Sequence, residues 1–190
     1  MSSPLPITTA RLLLRAATED DAGDLLAYYG DPEVARYLPF DVLDEAGVAD
    51  RLARFIRNAT EPEPEDGDAV VSAMIELDAN LVGDVMLRRK PGPMRSMAEV
   101  GWVLNPAWSG RGIATEAARA MIDLAFGELG CHRVMANLDP RNLASARLCE
   151  RLGMTREAHL RRDWFGKGEW SDTSIYGLLR EEWSARPDAG

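Results

Sequence analysis

Trp102-Val103-Leu104-Asn105-Pro106-Ala107-Trp108-Ser109-Gly110-Arg111-Gly112-Ile113-Ala114-Thr115-Glu116 carries the decisive pattern of this chain. A strand stops, a tight glycine-rich turn follows, and a long helix starts. Gly110 and Gly112 let the backbone come close to a ligand. The first helical turn presents unpaired N–H groups, and the helix dipole adds partial positive charge there. Together they make an anion site suited to a diphosphate, with Arg111 adding charge and the Thr115 hydroxyl able to donate. Gly-x-Gly alone also fits an ordinary helix start. No Gly-Lys-Ser/Thr follows, so this is not a nucleotide P-loop. The third glycine of a dinucleotide fingerprint is missing.

Upstream the period is two. Residues 98–104 read as a strand ended by Pro106, which cannot donate to a ladder. Before it, Val71, Ala73, Ile75 and Leu77 share one face of a strand, and Leu81, Gly83, Val85 and Leu87 share one face of the next. Asp78-Ala79-Asn80 is turn chemistry, so the two form a hairpin. Residues 88–95 read as a basic loop. Residues 61–68, acidic and rich in proline, read as an exposed loop. Further upstream come a strand at 11–15, a helix from Thr18 to about Tyr29 stopped by Gly30-Asp31-Pro32, and a helix at 44–58. The latter buries Val48, Leu52, Phe55 and Ile56.

Downstream, Ile113, Ala117, Met121 and Leu124 mark a helix over 112–129, with Gly130 as its cap. A strand at 133–138 follows. A helix capped by Asn142 and ended by Gly153 comes next. Two closing strands, 155–162 and 174–179, flank a Gly166-Lys167-Gly168 turn. The expected fold is a mixed α/β single domain over 9–183 with one central sheet, a flexible N-terminus (1–8) and a flexible tail (184–190).

The chain has 190 residues, 46% of them hydrophobic and 28% charged, enough for a proper core. Its net charge is −9 and its pI about 4.8, which argues against nucleic acid as a main partner. No apolar run reaches membrane-spanning length and no secretory leader is visible, so no membrane partner is expected. Cys131 and Cys149 cannot build a disulfide framework, and the cytoplasm is the expected location. His132 and His159 lack metal-ligand spacing, and no metal site is expected.

Four segments in combination resemble the GNAT N-acetyltransferase superfamily, and within it the RimJ/RimL-like branch of ribosomal-protein N-acetyltransferases. They are Thr9-Ala10-Arg11-Leu12-Leu13-Leu14-Arg15; Glu99-Val100-Gly101-Trp102 running into Asn105-Pro106; Asn142-Leu143-Ala144-Ser145 running into Arg151-Leu152-Gly153-Met154; and Gly168-Glu169-Trp170-Ser171-Asp172-Thr173. The family's acetyl-CoA motif, Gln/Arg-x-x-Gly-x-Gly/Ala, stands here as Ser109-Gly110-Arg111-Gly112-Ile113-Ala114, departing at its first position.

The resemblance implies a GNAT fold in which the strand at 98–104 splays from the one at 133–138. The pantetheine arm of acetyl-CoA would lie in that gap against the backbone of Trp102, Val103 and Leu104. The diphosphate would sit on Gly110, Arg111, Gly112, Ile113, Ala114 and Thr115, with Asn142 reaching the cofactor. The acceptor would be a small-molecule or peptide primary amine, a protein N-terminus among them, and the protein a monomer or homodimer.

Acetyl transfer needs a neutral amine, donors for the oxyanion and a proton for the thiolate. The branch's thiolate partner is a serine three residues after the asparagine, matched by Ser145, which otherwise reads as a solvent-facing or backbone-bonded serine. Its acidic residue matches Asp163, otherwise a loop carboxylate. Glu99 is a second candidate base, with an arginine ion pair as its competing role. The tyrosine that many members carry seven residues after the asparagine is Cys149 here, a small residue suited to burial. Trp164, Trp170 and Tyr37 are candidates for the acceptor groove, and Arg88, Arg89, Lys90 and Arg95 for offsetting phosphate charge. Alternatives are a non-catalytic CoA-binding sensor and transfer from another short acyl-CoA.

Overall fold

A computed structural model describes residues 4–60 and 67–186 of the chain. The described residues form one eight-stranded sheet. Its spatial order is β1 (Ile7–Thr8), β2 (Leu13–Arg15), β3 (Ala69–Leu77), β4 (Asn80–Arg89), β5 (Met97–Leu104), β6 (Arg133–Leu138), β8 (Glu169–Leu179) and β7 (Thr155–Gly166). Neighbours are antiparallel except β5 and β6, which run parallel. That one parallel pair needs a crossover, and helix α4 (Ile113–Phe126) supplies it. Helices α1 (Ala22–Tyr29), α2 (Pro32–Ala35) and α3 (Glu45–Thr60) follow β2; α5 (Leu143–Arg151) follows β6 and α6 (Arg180–Ser184) follows β8. This is the expected mixed α/β architecture.

Side chains alternate across a strand, so paired residues share a face. In the β4–β5 register, Val85 with Trp102 and Leu87 with Val100 point to one face; Asp84 with Val103, Met86 with Gly101 and Arg88 with Glu99 point to the other. The first face packs under α4, where Ala117, Ala118, Met121 and Ile122 are fully buried. The second packs against α1 and α3 through Leu25, Tyr28, Tyr29, Val48, Leu52 and Phe55. Ile56 packs at the edge of that cluster. The central strands are therefore buried on both sides.

Several boundaries differ from the sequence reading. The first strand is two short pieces: Ile7 and Thr8, expected in the flexible N-terminus, pair with Leu14 and Leu13. The expected helix over 112–129 ends at Phe126, because Gly127 caps it and Gly130, at φ +64°, only turns the chain into β6. Arg88 and Arg89 belong to β4 rather than to a basic loop. The final hairpin is longer than 155–162 and 174–179, and its register shifts between Leu160 and Trp164 absorb Arg161–Asp163 as a bulge. Helix α2 was missed because Pro32 reads as a stop; here it is the first residue of a helix capped by Asp31, where proline is tolerated. Helix α6 begins beyond the last expected strand and buries Trp183 against Phe126. Of the expected acidic loop, residues 61–66 lie outside the described residues, as do 1–3 and 187–190 of the expected flexible ends.

Candidate active site

Asn105 accepts from the Ala107 amide and caps a short 3-10 turn at Pro106–Trp108. The chain then turns through Gly110 (φ +77°) and Gly112 (φ +76°) into α4. At such φ values an L side chain is strained. Apart from its chain neighbours, a Cβ at Gly110 would meet no atom of the described residues within 4 Å, so the space in front of this turn is open among them. Gly110, Gly112, Ile113, Ala114 and Thr115 border a groove of about 660 Å³. Arg111 does not: its guanidinium lies over the Trp108 ring at 4.8 Å.

The start of α4 is tied down from the N-terminal segment. Glu116 accepts from the Thr9 hydroxyl (2.6 Å), the Arg11 amide (3.0 Å) and the Arg11 side chain (2.8 Å). Arg11 also donates to the Arg111 carbonyl at 3.1 Å. Partial burial alone would raise the Glu116 carboxyl; the hydrogen bonds from Thr9 and Arg11 outweigh it and hold it below the ordinary glutamate value. This is the structural meaning of the Thr9–Arg15 motif. Arg151, at the end of α5, reaches the Thr115 hydroxyl at 3.4 Å and borders the same groove. Sequence reading passed over Arg151 as a site residue; the signal was a basic residue in a last helical turn, which is common on surfaces.

The groove continues into a split in the sheet. Strand β5 pairs with β6 only at Met97–Arg133, Ala98–Val134 and Glu99–Met135, while β6 stays paired with β8 out to Leu138. Beyond Glu99 the two strands part, and Trp102, Val103 and Leu104 border the opening. On the other side of the split lies a second groove of about 760 Å³. Tyr37, Leu38, Trp102, Val103, Asn142 and Ser145 border both.

Asn142 caps α5, its Oδ1 accepting from the Ser145 amide at 3.0 Å. The Ser145 Oγ accepts from the Trp102 indole Nε1 at 3.3 Å. With that lone pair occupied, the hydroxyl proton is free to point elsewhere. Ser145 is thus half-buried where the grooves meet, rather than turned to solvent.

The other candidates are dispersed. Glu99 borders the second groove and is ion-paired with Arg88 at 2.5 Å. Asp163 borders the same groove from the β7 bulge and is exposed. Cys149 is fully buried, and burial pushes its thiol up to about 12. Arg88 borders the second groove rather than the first. Tyr37 and Trp164 border the second groove; Trp170 instead packs tilted against Phe165, with ring centroids 5.2 Å apart. Asp84, not flagged from sequence, lies on the floor of the second groove and accepts from Tyr28 Oη (2.9 Å) and Tyr29 Oη (2.7 Å). No helix of the described residues is long and apolar enough to cross a membrane. No cluster of three His, Cys, Asp or Glu suited to a metal occurs among them.

The arrangement offers an anion-binding turn, a slot with unpaired strand edge, a hydroxyl at a junction and a second groove with carboxylates. A profile for the acetyltransferase (GNAT) domain matches residues 11–155. The chain is 30% identical over 178 residues to the uncharacterized N-acetyltransferase YnaD of Bacillus subtilis, covering 94% of this chain and 99% of that protein. It is 25% identical over 181 residues to the [ribosomal protein uS5]-alanine N-acetyltransferase of Escherichia coli, covering 94% and 92%. Its fold matches a Mycobacterium smegmatis RimJ solved in complex with CoA-disulfide, with a TM-score of 0.80 at 22% identity, covering 96% and 91%. The chain belongs to the GNAT acetyltransferase family and is an N-acetyltransferase.

Proposed function

We propose that the protein transfers the acetyl group of acetyl-CoA to a primary amine by direct attack in a ternary complex. The carrying observation is the parting of β5 from β6 after Glu99, in line with the open Gly110–Gly112 turn. The slot suits an extended pantetheine arm, because the free edge of β5 offers backbone donors and acceptors along it. The turn suits the diphosphate, with α4 amides, Thr115 and Arg151 as its partners. Unpaired amides of β5 near Val103 would stabilise the oxyanion. Ser145, fixed by Trp102, would give its proton to the leaving thiolate. Asp163 is the carboxylate to which the family resemblance assigns proton removal, and Glu99 is a second candidate base that would act through water. The CoA carried by the RimJ neighbour supports the cofactor, and the uS5-alanine relative supports an amine of a protein or smaller molecule as acceptor.

Calorimetric titration with acetyl-CoA tests this directly, followed by a thiol-release assay over a panel of amines. Binding at micromolar cofactor with amine-stimulated CoA release is the expected result. No binding removes the proposal; binding without release for any amine leaves a CoA sensor.

A further inference from the structure

The second groove is bordered by six carboxylates. Glu99 is paired with Arg88 at 2.5 Å, Asp139 and Glu169 with Arg141 at 2.6 and 3.0 Å, and Asp172 with His159 at 2.8 Å. Asp163 is exposed to solvent in the β7 bulge. Asp84 differs from all of them. It is only 3% exposed, and among the described residues no cation lies within ion-pair distance of it. Among the described residues its two side-chain hydrogen bonds come from neutral phenols, and both fall on Oδ2.

Burying a carboxylate without an ion-pair partner is unfavourable, and a cationic ligand reaching it would offset that cost. Its position is also specific. Asp84 is the register partner of Val103, on the face away from Trp102, and Val103 borders both grooves. Asp84 therefore sits beside the junction, on the side of the second groove. Glu99 lies about 13 Å farther along the same row, four residues down the strand pair.

On the reading given above as the proposed function, we infer that Asp84 is the acceptor subsite: its carboxylate binds the ammonium group of a primary amine in the second groove and takes the proton that must leave before attack. The nitrogen then forms a bond to the thioester carbonyl carbon and the C–S bond breaks, its electron pair staying on sulfur. Of the three ammonium hydrogens, one goes to Asp84 and then to solvent. One ends on the CoA sulfur, relayed through Ser145, and one remains on the amide.

The charged and titratable groups facing Asp84 are Tyr28 and Tyr29 from α1 and Arg51 from α3, with the Arg88–Glu99 pair farther along the floor. Arg51 is held over the rings of Tyr29, Phe40 and Phe55 at 4.3, 4.7 and 5.0 Å. Burial pushes the Asp84 carboxyl up, and Arg51 and the two phenols offset this only in part. A carboxylate raised in this way is a better proton acceptor than an exposed one.

The test uses the full chain with acetyl-CoA and four amine probes: alaninamide, 2-phenylethylamine, spermidine and a tripeptide with a free N-terminus. Asp84→Asn keeps the size and the ability to accept from both tyrosines. It is expected to lose about a hundredfold or more in kcat/KM, with acetyl-CoA affinity by calorimetry within twofold of wild type. Tyr29→Phe keeps the carboxylate and removes one donor that lowers its pKa, so the acid limb of kcat/KM moves to higher pH. A carboxylate that only anchors the two tyrosines leaves that limb in place. Wild-type kcat/KM in Asp84→Asn, or an unmoved limb in Tyr29→Phe, overturns the subsite. Acetyl-CoA bound with no probe turned over also overturns it while the cofactor reading stands. No acetyl-CoA binding by the wild type overturns the parent reading itself.

Discussion

The indole Nε1 of Trp102 donates to the Ser145 hydroxyl oxygen at 3.3 Å, joining β5 to the first turn of α5 across the split in the sheet. One residue comes from the strand that leaves its partner, the other from the helix that follows that partner. Both border the two grooves. The bond occupies one lone pair of the hydroxyl oxygen where the grooves meet, and that geometry has measurable consequences.

Removing the indole donor should act through Ser145. Trp102→Phe and Ser145→Ala are each expected to lower kcat about tenfold or more, on the scale of one general-acid contribution. The double variant is expected to lose little more than the worse single one, because both changes delete the same interaction. A double-mutant cycle of CoA-release rates checks this; fully additive losses would show that the pair does not act as a unit.

The open space before Gly110 makes it a selective position. Gly110→Ala places a methyl where, apart from its chain neighbours, no atom of the described residues lies within 4 Å and forces an L residue to φ +77°. The strain costs about 1 kcal/mol. Acetyl-CoA affinity is expected to fall by more than that strain accounts for, since the methyl occupies ligand space. Calorimetry beside a thermal melt separates the two effects.

The Glu116 cluster should make stability pH-dependent in one direction. Its carboxyl lies below the ordinary value of 4.5 in the folded chain. Such a group adds stability above its unfolded pKa and loses it as pH falls through its folded pKa. The difference in unfolding free energy between wild type and Glu116→Gln is therefore expected to be full at pH 7 and to shrink steadily below about pH 4.5. Denaturant titrations at pH 7, 5 and 3.5 measure it.

Cys149 is expected to be chemically silent. It is fully buried with its thiol pushed up to about 12, and it borders neither groove. Iodoacetamide at pH 8 should leave it unmodified in the folded protein and alkylate it in denaturant. Cys149→Ala should cost roughly 1 kcal/mol of stability and leave CoA release unchanged. Loss of release in a folded variant would return the thiol to the mechanism.

Sequence alone determined the β3–β4 hairpin, β5, β6 and the start of α4, because period-two alternation and glycine-proline punctuation are local signals. It also placed the tight glycine turn before α4, since Gly110 and Gly112 announce their backbone geometry in one dimension. The role of the Thr9–Arg15 motif was invisible, because Glu116 lies more than a hundred residues away.

Only the tertiary structure decided which carboxylates are paired and which are buried. Glu99 and Arg88 are eleven residues apart, and their ion pair follows from the β4–β5 register. Asp84 reads in sequence as the outward member of an alternating strand. It is buried because α1 brings Tyr28 and Tyr29 over that face, and alternation cannot reveal whether a sheet's second face is covered. Where β5 and β6 part was likewise set by the packing of whole elements, since strand separation is a relation between two segments rather than a property of either.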